Sequence, residues 1–171
     1  NNNYGKHILP NVKKLPPRYN YNELYDDAMN EAARDTDNNR FGIKNSFYTQ
    51  RVKKNLAKTK GSQRNFNYTK SPEYGDLEVV LNQFKNTNSN VLFIIPPVNS
   101  KWEKYTGMDM NMYYQSVEKI KFQLRQQGFN HILDLSHDGD KPGFMEDTIH
   151  IGWAGWVKVD KATNSFISNK Q

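Results

Sequence analysis

Residues 91–97 read VLFIIPP. Val91 to Ile95 form an unbroken apolar run, and Pro96 and Pro97 close it. A strand solvated on one side alternates apolar and polar residues. A run that does not alternate predicts a strand covered on both faces, as in a parallel sheet. Upstream, SPEYGDLEVVLNQFK (71–85) predicts a helix with Ser71 as N-cap and Pro72 at its first position. Tyr74, Leu77, Leu81 and Phe84 fall on one face of it. Downstream, DMNMYYQSVEKIKFQLRQQG (109–128) predicts an amphipathic helix with Tyr113, Val117, Ile120 and Leu124 as its stripe and Gly128 as its cap. HILDL (131–135) reads as a second strand, and GWAGWVKVDKA (152–162) as the start of a last helix.

Helix, strand, helix, strand, loop, helix is the order of an α/β fold, and its strand–helix–strand unit is a parallel crossover. In open α/β sheets, ligands bind beyond the carboxyl ends of the strands. The loop after the first strand carries Asn99, Trp102 and Tyr105, and the loop after the second carries Asp147 and His150. Two strands are too few for a stable parallel sheet. KHIL (6–9) is a weak third candidate. The sheet is therefore expected to continue in sequence upstream of this chain or in a partner.

Residues 1–70 differ in character. LPPRYN (15–20) forces an extended turn, YNELYDDAMNEAARD (21–35) predicts a helix, and NSFYTQRVKKNLAK (45–58) predicts a second one stopped by Gly61. This gives two expected units: a helical, loop-rich basic region over 1–70 and the α/β part over 71–171.

The chain has 171 residues, enough for one domain with a real core, and no cysteine. That excludes disulfides, thiolate zinc sites and cysteine nucleophiles. Mean hydropathy is −0.94, and no stretch approaches the roughly 18 apolar residues of a membrane helix. The opening residues do not read as a signal peptide, so none is expected within this stretch. The charge is uneven: residues 1–70 hold 14 Lys and Arg against 6 Asp and Glu, and residues 71–171 hold 10 against 12. From Arg40 to Arg64 no acidic residue intervenes. This stretch reads either as a solvated helix face plus a loop or as a patch for a polyanion such as nucleic acid, anionic lipid or a phosphate polymer.

Asp147 and His150 lie three apart in DTIHIGW (147–153). A general-base histidine needs a carboxylate on one ring nitrogen and a nucleophile on the other. The spacing alone is weak, since 11 Asp and 4 His give about one chance D-x-x-H per four such chains. Asp134-Leu-Ser-His137 is a second instance. Position separates the two: Asp134 lies in or at the tip of a strand, while Asp147 lies in the loop beyond it, directly before a helix. The competing readings are a loop or capping acid for Asp147 and a buried, hydrogen-bonded histidine for His150. The tryptophans read as core rather than as a ligand platform. No His and carboxylate set has zinc spacing, so no metal and no cofactor are expected.

At IIPPVN (94–99) and DTIHIGW the sequence resembles the C-terminal part of the DltD family of D-alanyl transfer proteins. That family is similar to the SGNH/GDSL hydrolases, and the resemblance is close over about residues 71–160. It implies a partial SGNH-hydrolase-like (flavodoxin-like) parallel sheet flanked by helices. It further implies D-alanylation of teichoic acid at the outer face of the Gram-positive cell membrane, with Asp147 as orienter and His150 as general base. Asn99 and Trp102 would line the crevice, and Lys53, Lys54 and Lys58 would help hold the phosphate polymer. The implied partners are teichoic acid, a carrier of the D-alanyl donor or other proteins of the system, and no nucleic acid.

The sequence departs from the family pattern at the nucleophile. None of its nine serines stands in a Gly-Asp-Ser or similar strand-to-turn context, and no oxyanion-hole Gly or Asn block is recognisable. The family's N-terminal membrane anchor is also missing from it. The expectation is a C-terminal fragment, inactive alone, whose serine and anchor lie upstream. A non-catalytic polyanion-binding module and an SGNH-type esterase of another ester are the alternatives.

Overall fold

The computed structural model describes residues 20–168. The seven α-helical segments and two strands among them run α1 (Tyr21–Asp35), α2 (Asn45–Phe47), α3 (Leu56–Thr59), α4 (Glu73–Asn86), β1 (Phe93–Ile95), α5 (Ser100–Thr106), α6 (Met110–Gln126), β2 (Ile132–Asp134) and α7 (Trp153–Ser168). The expected strand at 6–9 lies outside the described residues.

β1 and β2 pair in parallel, with Phe93 opposite Ile132 and Ile95 opposite Asp134. Bonds from Phe93 N–H to His131 C=O and from Leu135 N–H to Ile95 C=O close the ladder. Both strands are shorter than the apolar runs that mark them. On one sheet face, Phe93 and Ile132 pack with Leu81, Leu124 and Phe129, and Ile95 packs with Tyr113 and Val117. The expected stripes of α4 and α6 thus form this side of the core. On the other face, Leu133 packs toward Val159 of α7, but Ile94 remains 38% exposed. The expectation that β1 is covered on both faces therefore fails at Ile94.

Helix ends follow local chemistry. Asn20 caps α1 through Asn22 N–H. Pro72 already has helical dihedrals, and the Ser71 hydroxyl accepts from Glu73 N–H at 3.3 Å, so the expected cap forms. Asp109 caps α6 through Met112 N–H, and Gly128, at φ +90°, takes the left-handed turn after it.

The predicted helix over 45–58 is not regular. It runs through α2, a π-turn at Tyr48–Val52 and a 3-10 turn at Lys53–Asn55 before α3. The wider turn lets Phe47, Tyr48, Val52 and Leu56 all reach Phe41 and Ile43. Trp102 and Tyr105 of α5 close the same cluster, so residues on both sides of position 70 share a core. α5 was not expected from the sequence, which predicts a loop there. Its seven residues carry no apolar stripe, only two aromatics on one side.

Candidate active site

Residues 145–151 form a small closed loop. Met145 and Ile151 make an antiparallel bridge. Glu146 N–H donates to His150 C=O at 3.0 Å, and Gly152 N–H donates to Phe144 C=O at 2.8 Å. The start of α7 must pass very close to this backbone. A Cβ on Gly152 would stand 2.8 Å from Glu146 N, and one on Gly155 would stand 2.7 Å from Phe144 O. Only glycine fits at either place, which explains the small residues in GWAGW. Trp156, expected in the core, is 57% exposed.

Within the loop, Asp147 uses both carboxylate oxygens. Oδ1 accepts from the backbone N–H groups of Ile149 and His150, each at 2.8 Å. Oδ2 lies 2.7 Å from His150 Nδ1. A carboxylate only accepts, so Nδ1 carries the proton and Nε2 is left as the basic nitrogen. The Asp147 side chain is 11% exposed and that of His150 70%. The acid is thus buried and fixed, and the imidazole it orients faces solvent. Among the described residues, Asp147 is the only hydrogen-bond partner of that ring.

The second D-x-x-H behaves differently. Asp134 Oδ1 accepts from the Ser136 hydroxyl and backbone N–H, and Oδ2 takes the Lys121 ammonium at 2.8 Å. These partners hold the Asp134 carboxyl below its ordinary range, against the effect of its burial. His137 instead stacks on Tyr114 at 4.2 Å, and His131 meets Phe166 edge-on at 5.0 Å.

Of Asn99 and Trp102, Asn99 stands beside the loop. Asn99 is 4% exposed, and its N–H donates to Thr148 C=O at 3.0 Å. Its side chain caps α5 through Trp102 N–H and donates to Phe41 C=O at 3.0 Å. Both ends of its amide are therefore used inside the fold, and Asn99 ties the 41–44 segment and α5 to the 145–151 loop. Trp102 packs edge-on against Phe41 at 5.3 Å. Lys44 adds a second tie through Glu146 Oε1 at 3.0 Å, and that carboxylate holds its ammonium above the ordinary range. Lys53, Lys54 and Lys58 are exposed on the helical segment before Lys60.

Over residues 1–168 the chain matches the family model described as DltD protein. The chain belongs to the DltD family. It is 50% identical over 166 residues to Protein DltD of Lacticaseibacillus rhamnosus, covering 97% of this chain and 39% of the relative. Against Protein DltD of Bacillus subtilis (strain 168), identity is 39% over 146 residues, 85% of this chain and 37% of the relative. Protein DltD of Staphylococcus aureus (strain NCTC 8325 / PS 47) is 26% identical over 156 residues, 91% of this chain and 38% of the relative. The chain thus spans less than two fifths of the length of the curated DltD relatives it matches.

Among the described residues, no helix is long and apolar enough to cross a membrane, and no group of three or more His, Asp or Glu could hold a metal. Sequence reading of this DltD chain missed Lys101 and Lys104, two basic residues on α5. The one signal for them was Asn99 standing three residues before Trp102, a capping spacing.

Proposed function

We propose that this chain is the C-terminal part of an acyl transferase that esterifies teichoic acid with D-alanine at the outer face of the cell membrane. The observation that carries the reading is the Asp147–His150 pair, with Oδ2 and Nδ1 2.7 Å apart in a loop beyond the carboxyl end of a parallel strand. DltD membership supports the substrate, and the short coverage of the relatives supports a nucleophile and a membrane anchor supplied by the remainder of a longer protein.

In that protein a serine hydroxyl from outside the described residues attacks the carbonyl carbon of an activated D-alanyl group. His150 Nε2 takes the hydroxyl proton, and Asp147 stabilises the imidazolium that forms. The proton passes to the departing carrier group, leaving a D-alanyl-serine ester. A polymer hydroxyl then attacks this ester, giving its proton to the same nitrogen, which returns it to the serine as the polymer ester leaves. Asn99 acts in this scheme by positioning the loop, and Trp102 by packing on the Phe41 that Asn99 also holds.

The test is His150→Ala in the full-length protein, with teichoic acid D-alanine ester measured in cells. Loss of a triad base costs on the order of 10⁶ in turnover, so the ester should fall to the level of a strain lacking the protein. An unchanged ester content would remove the assignment.

A further inference from the structure

Three segments of the fold bring five cations to one groove. Arg40 enters before Phe41, Lys60 and Arg64 flank the turn after α3, and Lys101 and Lys104 come from the exposed side of α5. All five are exposed, and no acidic side chain lines the groove. Among the described residues, none of the five forms an ion pair. By contrast Lys44, Lys121, Lys141 and Lys158 each meet a carboxylate at 3.0 Å or less. Clustered like charges repel, and the protein leaves these uncompensated. The carboxyl end of α5 offsets only a fraction of one charge.

The cluster is also held in place. The Arg40 guanidinium sits over two rings, 5.0 Å from the Phe41 centroid and 4.7 Å from that of Tyr105. Gly61 N–H donates to Tyr105 C=O at 3.1 Å and Gln63 N–H to Thr106 C=O at 2.9 Å. These bonds dock the turn bearing Lys60 and Arg64 against the end of α5. The Arg64 stem lies over Gly107, where a Cβ would come within 2.6 Å of Arg64 Cγ. Two guanidiniums set on packed aromatic and backbone surfaces, with three ammoniums lining the same groove, suit phosphate oxygens.

The groove leads toward the catalytic loop. Phe41 and Lys101 also line the neighbouring crevice, together with Asn99 and Gly139. From there, the Asn99 N–H bond to Thr148 C=O reaches the residue after Asp147. We propose that this groove binds the phosphodiester backbone of the acceptor polymer, with Arg40, Lys60, Arg64, Lys101 and Lys104 contacting successive phosphates. The inference rests on the acceptor being a phosphate polymer, as in the function proposed above. It moves the polymer contact from Lys53, Lys54 and Lys58 to cations that the fold gathers from distant sequence.

The experiment titrates the full-length protein with a soluble glycerol-phosphate hexamer and, separately, with phosphatidylglycerol vesicles, at several salt concentrations. Arg40→Gln/Lys101→Gln/Lys104→Gln should weaken hexamer binding by about tenfold or more and reduce the magnitude of its salt slope by about 2. Lys53→Gln/Lys54→Gln/Lys58→Gln, with the same change in net charge, should leave binding within about twofold. Equal weakening by both triples would mean diffuse attraction and would overturn the groove. Binding to vesicles without binding to the hexamer would overturn it in favour of a membrane surface. Because this assay involves no acyl transfer, its outcome stands apart from that of His150→Ala.

Discussion

Glu103 is a carboxyl on the inner side of α5, 3% exposed, and its Oε1 has no hydrogen-bond partner among the described residues. Burial pushes it up from 4.5 to about 7, and a hydrogen bond from the Ser100 hydroxyl acts the other way. The unfolded chain ionises this group near 4.5, while the folded chain resists ionisation until about 7. Stability from this residue is therefore highest below the unfolded value and is lost as pH rises through the folded one. The expected loss is roughly 2–3 kcal/mol between about pH 5 and pH 8, read from urea midpoints. Glu103→Gln should flatten that profile, and an equally steep profile in the variant would place its cause elsewhere. At this same scale, sequence could name Asp147 and Asp134 as rivals but could not choose between them by spacing. The choice lies in what each carboxylate touches: Asp134 is taken up by Lys121 and Ser136, and Asp147 keeps one oxygen for a histidine.

Elements meet most tightly where the two loops beyond the sheet touch. Ser100 N–H donates to Gly139 C=O at 3.1 Å, and a Cβ on Gly139 would lie 1.9 Å from Val98 O. Gly139→Ala must push these loops apart. The expected cost is about 2–4 kcal/mol in a urea unfolding series, and a change below about 0.5 kcal/mol would show that the loops have room. Helices with an apolar stripe (α4 and α6) were legible in the sequence because burial of a stripe is a local, periodic demand. α5 was not legible: an asparagine cap and two aromatics carry it, and they become favourable only once Phe41 is packed beneath them. The π-turn at Tyr48–Val52 was hidden for the same reason, since it answers to the positions of Phe41 and Ile43.

Across the whole molecule, the sheet is the incomplete part. In parallel pairing, alternate residues of a strand turn their N–H and C=O groups to each neighbour. Phe93 and Ile95 face β2, which turns the polar backbone groups of Ile94 to the outer edge of β1, where no strand among the described residues pairs. If the remainder of the protein adds a strand there, the Ile94 amide should exchange freely in this chain and at least about 100-fold more slowly in the full-length protein. Equal exchange in both would place the rest of the sheet elsewhere. The sequence by itself determined the α/β order, the two core stripes, the Ser71 and Gly128 caps and the D-x-x-H candidates, because these depend on spacing along one segment. Only the tertiary structure decided which aspartate holds a histidine and which cations share a groove. Those properties depend on contacts between residues tens of positions apart, as between Arg40 and Tyr105 or Asn99 and Thr148, and no local pattern encodes them.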